Sequence, residues 1–317
     1  MPYVELLGGL IYLLMGGDLL VRGAVALARR ARVSPVVIAL SIVAFGTSLP
    51  ELVVTLHAVV DGYPGIAMGN VVGSNIANVC LIIGLPASIY VLTCTERSTR
   101  RNSVLMLSVS ALFFVLCLDG DLDRWDSAAL LLALAAFVAL GAQEALRTQR
   151  EADRSIPLDW VLGLPSRVWM IALFLVAGAV GLPLGAGMLV NSVVEISSRL
   201  QIPDVVVGLT VVALGTSLPE LATTFVAAWR REHGVAVGTA VGSNVFNVTG
   251  IMGAAALISP DHVPVPPVFL SLDLPVLLGS ALLLVLLVVG RRRIGRLAGA
   301  LMLLAYCVYL GALVVQA

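Results

Sequence analysis

Long apolar runs dominate the chain, and short charged segments separate them. A helix needs about 20 mostly apolar residues to cross a bilayer, and the runs between charged or Pro/Gly breaks predict ten such helices. The runs are continuous and do not alternate apolar with polar positions, which disfavours a membrane β-barrel. The predicted spans lie near residues 4–28, 34–60, 65–92, 103–118, 126–146, 168–196, 203–229, 235–258, 268–290 and 296–315.

The composition is that of an integral membrane protein. The 317 residues are 59% hydrophobic and only 12% charged, with a mean hydropathy of +1.03. Soluble domains carry roughly 25% charged residues. A net charge of zero offers no basic surface for nucleic acid. The four cysteines lack the spacing of a zinc site or a disulfide framework, and we expect no cofactor.

The arginines test the count of ten spans. Successive loops alternate between the two sides of a membrane, and the odd-numbered loops hold 16 of the 19 arginines. The even-numbered loops hold only Arg124 and Arg199. Because cytoplasmic loops collect basic residues, we expect the odd loops in the cytoplasm and both termini outside. The chain is thus expected to be a multi-pass protein of the plasma membrane.

Two parts of the chain repeat each other. Residues 33–51 and 202–220 are identical at 11 of 19 aligned positions, including the hexapeptide GTSLPE. Residues 73–78 match 242–247 at the same offset of 169. Five predicted spans separate the two copies, so the second copy enters the membrane in the opposite orientation. Inverted repeats are typical of secondary transporters, whose sites lie near the midplane on broken helices.

We therefore predict an all-α membrane protein with ten transmembrane helices, arranged as two inverted five-helix repeats at residues 1–154 and 155–317. Each GTSLPE segment breaks its helix, because Pro50 and Pro219 lack a backbone donor and crowd the preceding turn. Carbonyls freed at membrane depth are tolerated only where they face protein, water or an ion. The breaks are therefore expected at an ion site.

Glu51 and Glu220 each lie about 17 residues into an apolar run, near the middle of a predicted span. An ionised carboxylate there costs several kcal/mol, so both are functional candidates. On a helix, Thr47 and Ser48 share a face with Glu51. The second repeat duplicates this set with Thr216 and Ser217, and the following spans add Ser74 with Asn78 and Ser243 with Asn247.

These side chains and the freed carbonyls are all oxygen donors, which suits a hard cation. Calcium takes 6–8 oxygens at flexible geometry, whereas zinc and copper favour His and Cys. Two glutamates neutralise one divalent ion, and the other oxygens could share several monovalent ions. An exchanger requires a site that holds either the divalent ion or the monovalent ions, but not both at once.

The duplicated GTSLPE and GSNxxN segments resemble the α-repeats of the cation/calcium exchanger superfamily, most closely its prokaryotic sodium/calcium exchangers, over essentially the whole chain. The resemblance implies outward-facing termini and first and sixth spans that slide to alternate access. It implies Glu51 and Glu220 as central ligands shared by calcium and sodium. It also implies calcium-binding carbonyls at Thr47 and Thr216, sodium positions lined by Ser48, Ser74, Ser217, Ser243 and the carbonyls of Ala44 and Ala213, and a middle position completed by Asn78 and Asn247.

One position departs from that pattern. Many sodium/calcium members carry an acidic residue where this chain has Asn247, so the core offers two carboxylates and not three. The lower negative charge leaves open a change in stoichiometry or coupling to protons.

We predict an antiporter that exchanges calcium for sodium, with calcium/proton exchange as the alternative. Its expected partners are these ions and the lipid bilayer, and a monomer is expected. A channel would give no reason for mirrored broken helices. An intramembrane enzyme is disfavoured, because the sequence has no HExxH or GxSxG motif. A purely structural subunit is a further alternative.

Overall fold

The computed structural model describes residues 2–30, 46–151, 163–229, 231 and 233–316. Within these ranges the chain is almost entirely helical, as expected from its continuous apolar runs. The α-helices are Pro2–Arg30, Leu49–Val60, Pro64–Ala77, Gly84–Ile89, Arg97–Leu116, Arg124–Glu151, Val168–Leu200, Asp204–Val207, Ala213–Thr216, Leu218–Trp229, His233–Phe246, Met252–Ile258, Leu274–Val285 and Arg296–Gln316.

Several of these helices are joined into longer spans by π-helical turns, in which the backbone hydrogen bonds skip one residue more than in an α-helix. Within the described ranges, a 3₁₀ turn at Cys117–Asp119 ends one further span. The π segments are Asn78–Ile83, Gly208–Val212, Asn247–Ile251, Phe269–Asp273 and Leu286–Arg291. Two of them begin at the last asparagine of a GSNxxN segment, so the repeated motif widens its helix at the same place in both copies.

Eight described helices are long and apolar enough to cross a membrane, or nine spans if the bent pair Asp204–Thr216 and Leu218–Trp229 counts as one. Leu49–Val60 is a shorter apolar helix of 12 residues. The earlier part of the predicted span 34–60 lies outside the described residues. The multi-pass membrane class is therefore confirmed, while the count of ten stays a prediction.

Two spans form the centre of the bundle. Within Pro64–Ile89, 94% of the most apolar window is buried, and within His233–Ile258 the share is 72%. The same share is between 11% and 44% in the other six long spans. These outer helices expose large apolar side chains such as Leu7, Leu132 and Leu304, as a lipid-facing surface requires. The GSNxxN segments thus lie in the most protected part of the molecule.

The helices Pro2–Arg30 and Val168–Leu200 pack closely against each other through glycines. A Cβ added to Gly9 would lie 2.9 Å from the carbonyl oxygen of Gly185, and one added to Gly178 would lie 2.7 Å from that of Gly16. Small residues at such positions let helix backbones approach in a membrane. The two helix backbones therefore approach each other closely at these glycines.

Two strand pairs, each two residues long per strand, connect distant loops. Leu92–Thr93 pairs antiparallel with Arg293–Ile294, and Asp121–Leu122 pairs with Val263–Pro264. The helix Arg97–Leu116 runs from the first pair to the second, and its 20 residues span about 30 Å. The pairs therefore lie at opposite ends of the bundle, and each joins loops that the predicted alternation places on one side.

Asp123 in the loop after Leu122 caps the helix Arg124–Glu151. Its Oδ1 accepts from the backbone N–H of Asp126 at 2.9 Å and of Trp125 at 2.7 Å, while Asp126 Oδ2 accepts from the N–H of Asp123. The Asp126 N–H bond holds the pKa of Asp123 below its usual value. Asp123 therefore caps the N-terminus of the helix that follows this acidic loop.

Candidate ion site

Both GTSLPE segments interrupt their helices at the serine. Ser48 has φ −90° and ψ 10°, and Ser217 has φ −83° and ψ 7°, outside the usual range of an α-helix. The next helices begin at Leu49 and Leu218, and proline is the second residue of each. The first N–H groups of a helix have no acceptor within the helix, so proline is tolerated there. The chain bends by 48° at Ser217. The structure thus breaks the second helix where its proline predicts it, and the part of the first span before Gly46 lies outside the described residues.

Each glutamate is held by a serine of the other repeat. Ser48 Oγ donates to Glu220 Oε1, and Ser217 Oγ donates to Glu51 Oε1, both at 3.0 Å. Both glutamate side chains are completely buried. In the described part of the chain, Oε2 of each glutamate has no hydrogen-bond partner. Each carboxylate is therefore anchored through one oxygen and offers the other.

The sharing of one helix face by Ser48 and Glu51 stays a prediction. Ser48 lies at the break, directly before Leu49–Val60, and its side chain reaches Glu220. Ser217 lies at the matching break and reaches Glu51. Neither carboxylate is complete without residues from the other repeat.

The serines of the GSNxxN segments also face the breaks. Ser243 Oγ donates to Glu220 Oε1 at 3.4 Å, and Ser74 Oγ donates to the carbonyl oxygen of Ala213 at 3.4 Å. The Ala213 carbonyl also accepts from the Ser217 N–H at 3.2 Å. This carbonyl therefore keeps its helical hydrogen bond and accepts from the Ser74 hydroxyl as well.

The asparagines of the same segments form a buried cluster. Asn75 and Asn244 each donate a side-chain N–H to the other's backbone carbonyl at 3.1 Å, which ties the two central spans together. Asn78 Nδ2 donates to Asn244 Oδ1 at 2.9 Å. Among the described residues, Asn78 Oδ1 and both amide atoms of Asn247 have no partner. The two predicted ligands thus keep an amide oxygen available.

Asn70 belongs to this network and was missed in the sequence. Its Nδ2 donates to the Glu51 carbonyl at 3.1 Å and to Thr55 Oγ1 at 2.9 Å, and its Oδ1 accepts from Thr216 Oγ1 at 3.1 Å. It precedes the two predicted polar residues of its helix by four and eight positions, hence on the same face. That spacing was the signal that could have found it.

Eleven of the twelve predicted ligands are described, and the twelfth, Ala44, lies outside the described residues. Thr47 is partly buried and lies within reach of the Glu220 carboxylate, as Thr216 does for Glu51. All others are buried. The buried members are Ser48, Glu51, Ser74, Asn78, Ala213, Thr216, Ser217, Glu220, Ser243 and Asn247.

The donor set fits a hard cation. Buried polar atoms in proteins are nearly always paired, yet five side chains of the GTSLPE and GSNxxN segments keep an unpartnered oxygen within the described structure: Glu51, Glu220, Asn75, Asn78 and Asn247. Carboxylate and amide oxygens are the ligands that calcium prefers. A cation bound among them would satisfy atoms that are otherwise costly to bury.

Comparison with known proteins shows the family. The sequence profile of the family described as sodium/calcium exchanger protein matches residues 2–141 and 170–315. The putative antiporter CaxA of Alkalimonas amylolytica is 32% identical over 307 residues, 96% of either chain. The sodium/calcium exchanger MaX1 of Methanosarcina acetivorans is 30% identical over 344 residues, 97% of either chain.

A solved structure shows the same fold. The sodium-calcium exchanger NCX_Mj superposes with a TM-score of 0.66 at 31% identity, covering 98% of this chain and 97% of its own. The resemblance predicted from the duplicated motifs is thus confirmed, and the relatives are named as transporters. The chain belongs to the sodium/calcium exchanger family.

Proposed function

We propose that this protein is a secondary antiporter that exchanges calcium for sodium by alternating access. The observation that carries the proposal is the pair of buried glutamates, Glu51 and Glu220, each anchored across the repeats through one oxygen with the other oxygen unpartnered. Two carboxylates balance the charge of one calcium ion. The same oxygens, used with different neighbours, suit sodium.

The proposed ligands follow the expected division. Glu51 and Glu220 serve both ions, the carbonyls of Thr47 and Thr216 serve calcium, and the amide oxygens of Asn78 and Asn247 serve the middle position. The sodium positions are lined by Ser48, Ser74, Ser217 and Ser243 with the carbonyls of Ala44 and Ala213. The contacts of Ser48, Ser217 and Ser243 with the two carboxylates support this set.

Burial of the glutamates supplies the coupling. Two carboxylates without a cation are costly in a water-excluded, low-dielectric region. Either calcium or sodium removes that cost, so the site passes between the two sides of the membrane when it is loaded. Because the ions share ligands, each passage carries one population or the other.

The helices Pro2–Arg30 and Val168–Leu200 are the proposed moving unit. Pro2–Arg30 lies directly against the breaks: a Cβ on Gly17 would contact the Pro50 ring at 3.7 Å, and one on Gly215 would meet the Leu10 side chain. Sliding this pair along the rest of the bundle would uncover the site from one side at a time.

We also propose the full arrangement of ten spans in two inverted five-helix repeats, residues 1–154 and 155–317. The crossed serine–glutamate bonds of equal length support a twofold relation between the repeats. The arginine-rich end is proposed to face the cytoplasm, with both termini outside the plasma membrane. A complete set of oxygens within one chain supports a monomer as the functional unit.

Substitution of Glu220 by Gln tests the ligand assignment. The neutral amide keeps the shape but removes half of the charge that balances calcium, so sodium-driven calcium uptake into proteoliposomes should fall by about a hundredfold or more. The matched control is Glu195→Gln, because Glu195 is a partly exposed side chain paired with Arg199. Near-normal uptake by Glu220→Gln, at equal amounts of inserted protein, would refute the assignment.

A flux assay in everted vesicles identifies the coupling ion. An outward-directed sodium gradient should drive uptake of labelled calcium, with no requirement for a pH gradient. Uptake that depends only on a pH gradient would establish calcium/proton exchange in its place.

A further inference from the structure

A cavity of about 490 Å³ lies near the end of the bundle where Leu92–Thr93 and Arg293–Ile294 pair. Its polar and aromatic lining comes from Tyr90, Trp229, Arg231, His233 and Arg296. None of these residues belongs to the ion site. The cavity is therefore a separate feature of the arginine-rich end.

Two guanidinium groups give the cavity its charge. Arg231 and Arg296 are exposed, and neither makes an ion pair with another described residue. Arg296 opens the helix Arg296–Gln316, whose first turn has no acidic residue. A cation at this end of a helix is unfavourable, and a bound anion would compensate both the arginine and the helix dipole. Among the described carboxylates, Glu96 lies beside Gly234 and does not line the cavity.

His233 adds a ring donor. Its Nδ1 accepts from the backbone N–H of Thr93 at 3.2 Å and lies 2.8 Å from the Thr93 hydroxyl. With Nδ1 engaged by Thr93, the Nε2–H is the ring donor that remains for a ligand. The N–H groups of two planar guanidinium side chains and one ring N–H can donate hydrogen bonds to the oxygens of a phosphate group.

The aromatic residues place the cavity at the membrane boundary. Trp229 is 66% exposed at the end of its helix, beside the exposed apolar Val91. Tyr90 follows the central span and packs edge to face on Phe225, with 6.4 Å between ring centroids. Tyr and Trp gather where lipid headgroups meet hydrocarbon. We propose that this cavity binds the phosphate group of an anionic lipid headgroup, with the acyl chains running past Trp229.

The test uses the full chain in nanodiscs of phosphatidylcholine with or without phosphatidylglycerol. Native mass spectrometry counts the phosphatidylglycerol molecules that stay bound after detergent washing. The double variant Arg231→Gln/Arg296→Gln should lose retention by about tenfold or more, since each basic residue contributes to anionic lipid binding. Arg231→Lys/Arg296→Lys, which keeps the charges, should retain more lipid than the Gln variant. Arg97→Gln, an exposed arginine at the same end but outside the cavity, is the matched control.

A second arm separates lipid from free phosphate. In pure phosphatidylcholine nanodiscs, labelled inorganic phosphate should show no arginine-dependent binding at millimolar concentration. Saturable phosphate binding that both arginines are needed for, with no preference for phosphatidylglycerol, would overturn the lipid assignment. Equal lipid retention by the wild type and the Gln double variant, or an equal loss in Arg97→Gln, would overturn the site itself.

Discussion

Asn78 and Asn247 occupy matching positions in the two repeats, but their surroundings differ. The Asn78 amide donates to Asn244 Oδ1 at 2.9 Å. Asn244 is fixed in turn, because its own amide donates to the Asn75 carbonyl at 3.1 Å. Asn247 makes no side-chain hydrogen bond with another described residue. Replacement by aspartate should therefore have different effects at the two positions.

Asn247→Asp should raise the apparent calcium affinity by about tenfold, because a third carboxylate adds negative charge without breaking a hydrogen bond. Asn78→Asp should instead lower stability by about 1–3 kcal/mol, since its carboxylate oxygen would face Asn244 Oδ1. Calcium dependence of exchange and thermal unfolding in detergent measure the two effects. Equal behaviour of the two variants would contradict the distinction.

The candidate-site residues differ in how far the sequence could predict their place in the structure. The burial of Glu51 and Glu220 could be predicted, because each charge interrupts an apolar run of the sequence. The pairing of Ser48 with Glu220 could not, because it depends on how the two repeats pack. Asn70 was missed because its repeat position is a threonine, so no duplication marked it.

At the scale of elements, the GTSLPE break combines two features. The serine leaves helical geometry, and the proline two residues later cannot restore the hydrogen bond across the gap. The prolines made the breaks predictable. The π segments that begin at Asn78 and Asn247 had no comparable signal, because the extra residue per turn is set by packing in the centre of the bundle.

Pro219→Ala should join Ala213–Thr216 to Leu218–Trp229, because alanine supplies an N–H that can donate to the Gly215 carbonyl. Straightening the 48° bend would move Ser217 from Glu51, so the initial rate of exchange should fall by roughly tenfold while thermal stability rises.

Pro183→Ala is the matched control, since Pro183 is exposed within the continuous helix Val168–Leu200. Its exchange rate should stay within about twofold of the wild type. A normal rate in Pro219→Ala would show that the bend is not needed for transport.

At the scale of the whole molecule, the two strand pairs define its ends. The helices Arg97–Leu116 and Leu274–Val285 both belong to spans that run between the pairs.

The native cysteines interfere little with thiol labelling at these ends. Cys94 is buried, which raises its pKa to about 11 and keeps it a poorly reactive thiol, and Cys307 is exposed and can be replaced.

Single cysteines at the two pairs test the orientation. In a Cys307→Ser background, a membrane-impermeant maleimide should label Asp121→Cys in intact cells. It should label Arg293→Cys only in everted vesicles, because that pair is assigned to the cytoplasmic end. The reverse pattern would invert the proposed orientation, and labelling of both from one side would contradict the alternation of loops.

The crossed serine–glutamate bonds also set the order in which the protein can be completed during synthesis. Glu51 precedes its partner Ser217 by 166 residues, and Ser48 precedes Glu220 by 172. At roughly 5–20 residues per second, a ribosome needs about 8–33 s to cover the first gap. The nascent chain therefore carries an unmatched acid in the bilayer for that interval. At the proposed site, ion binding would begin only after the second repeat has been inserted.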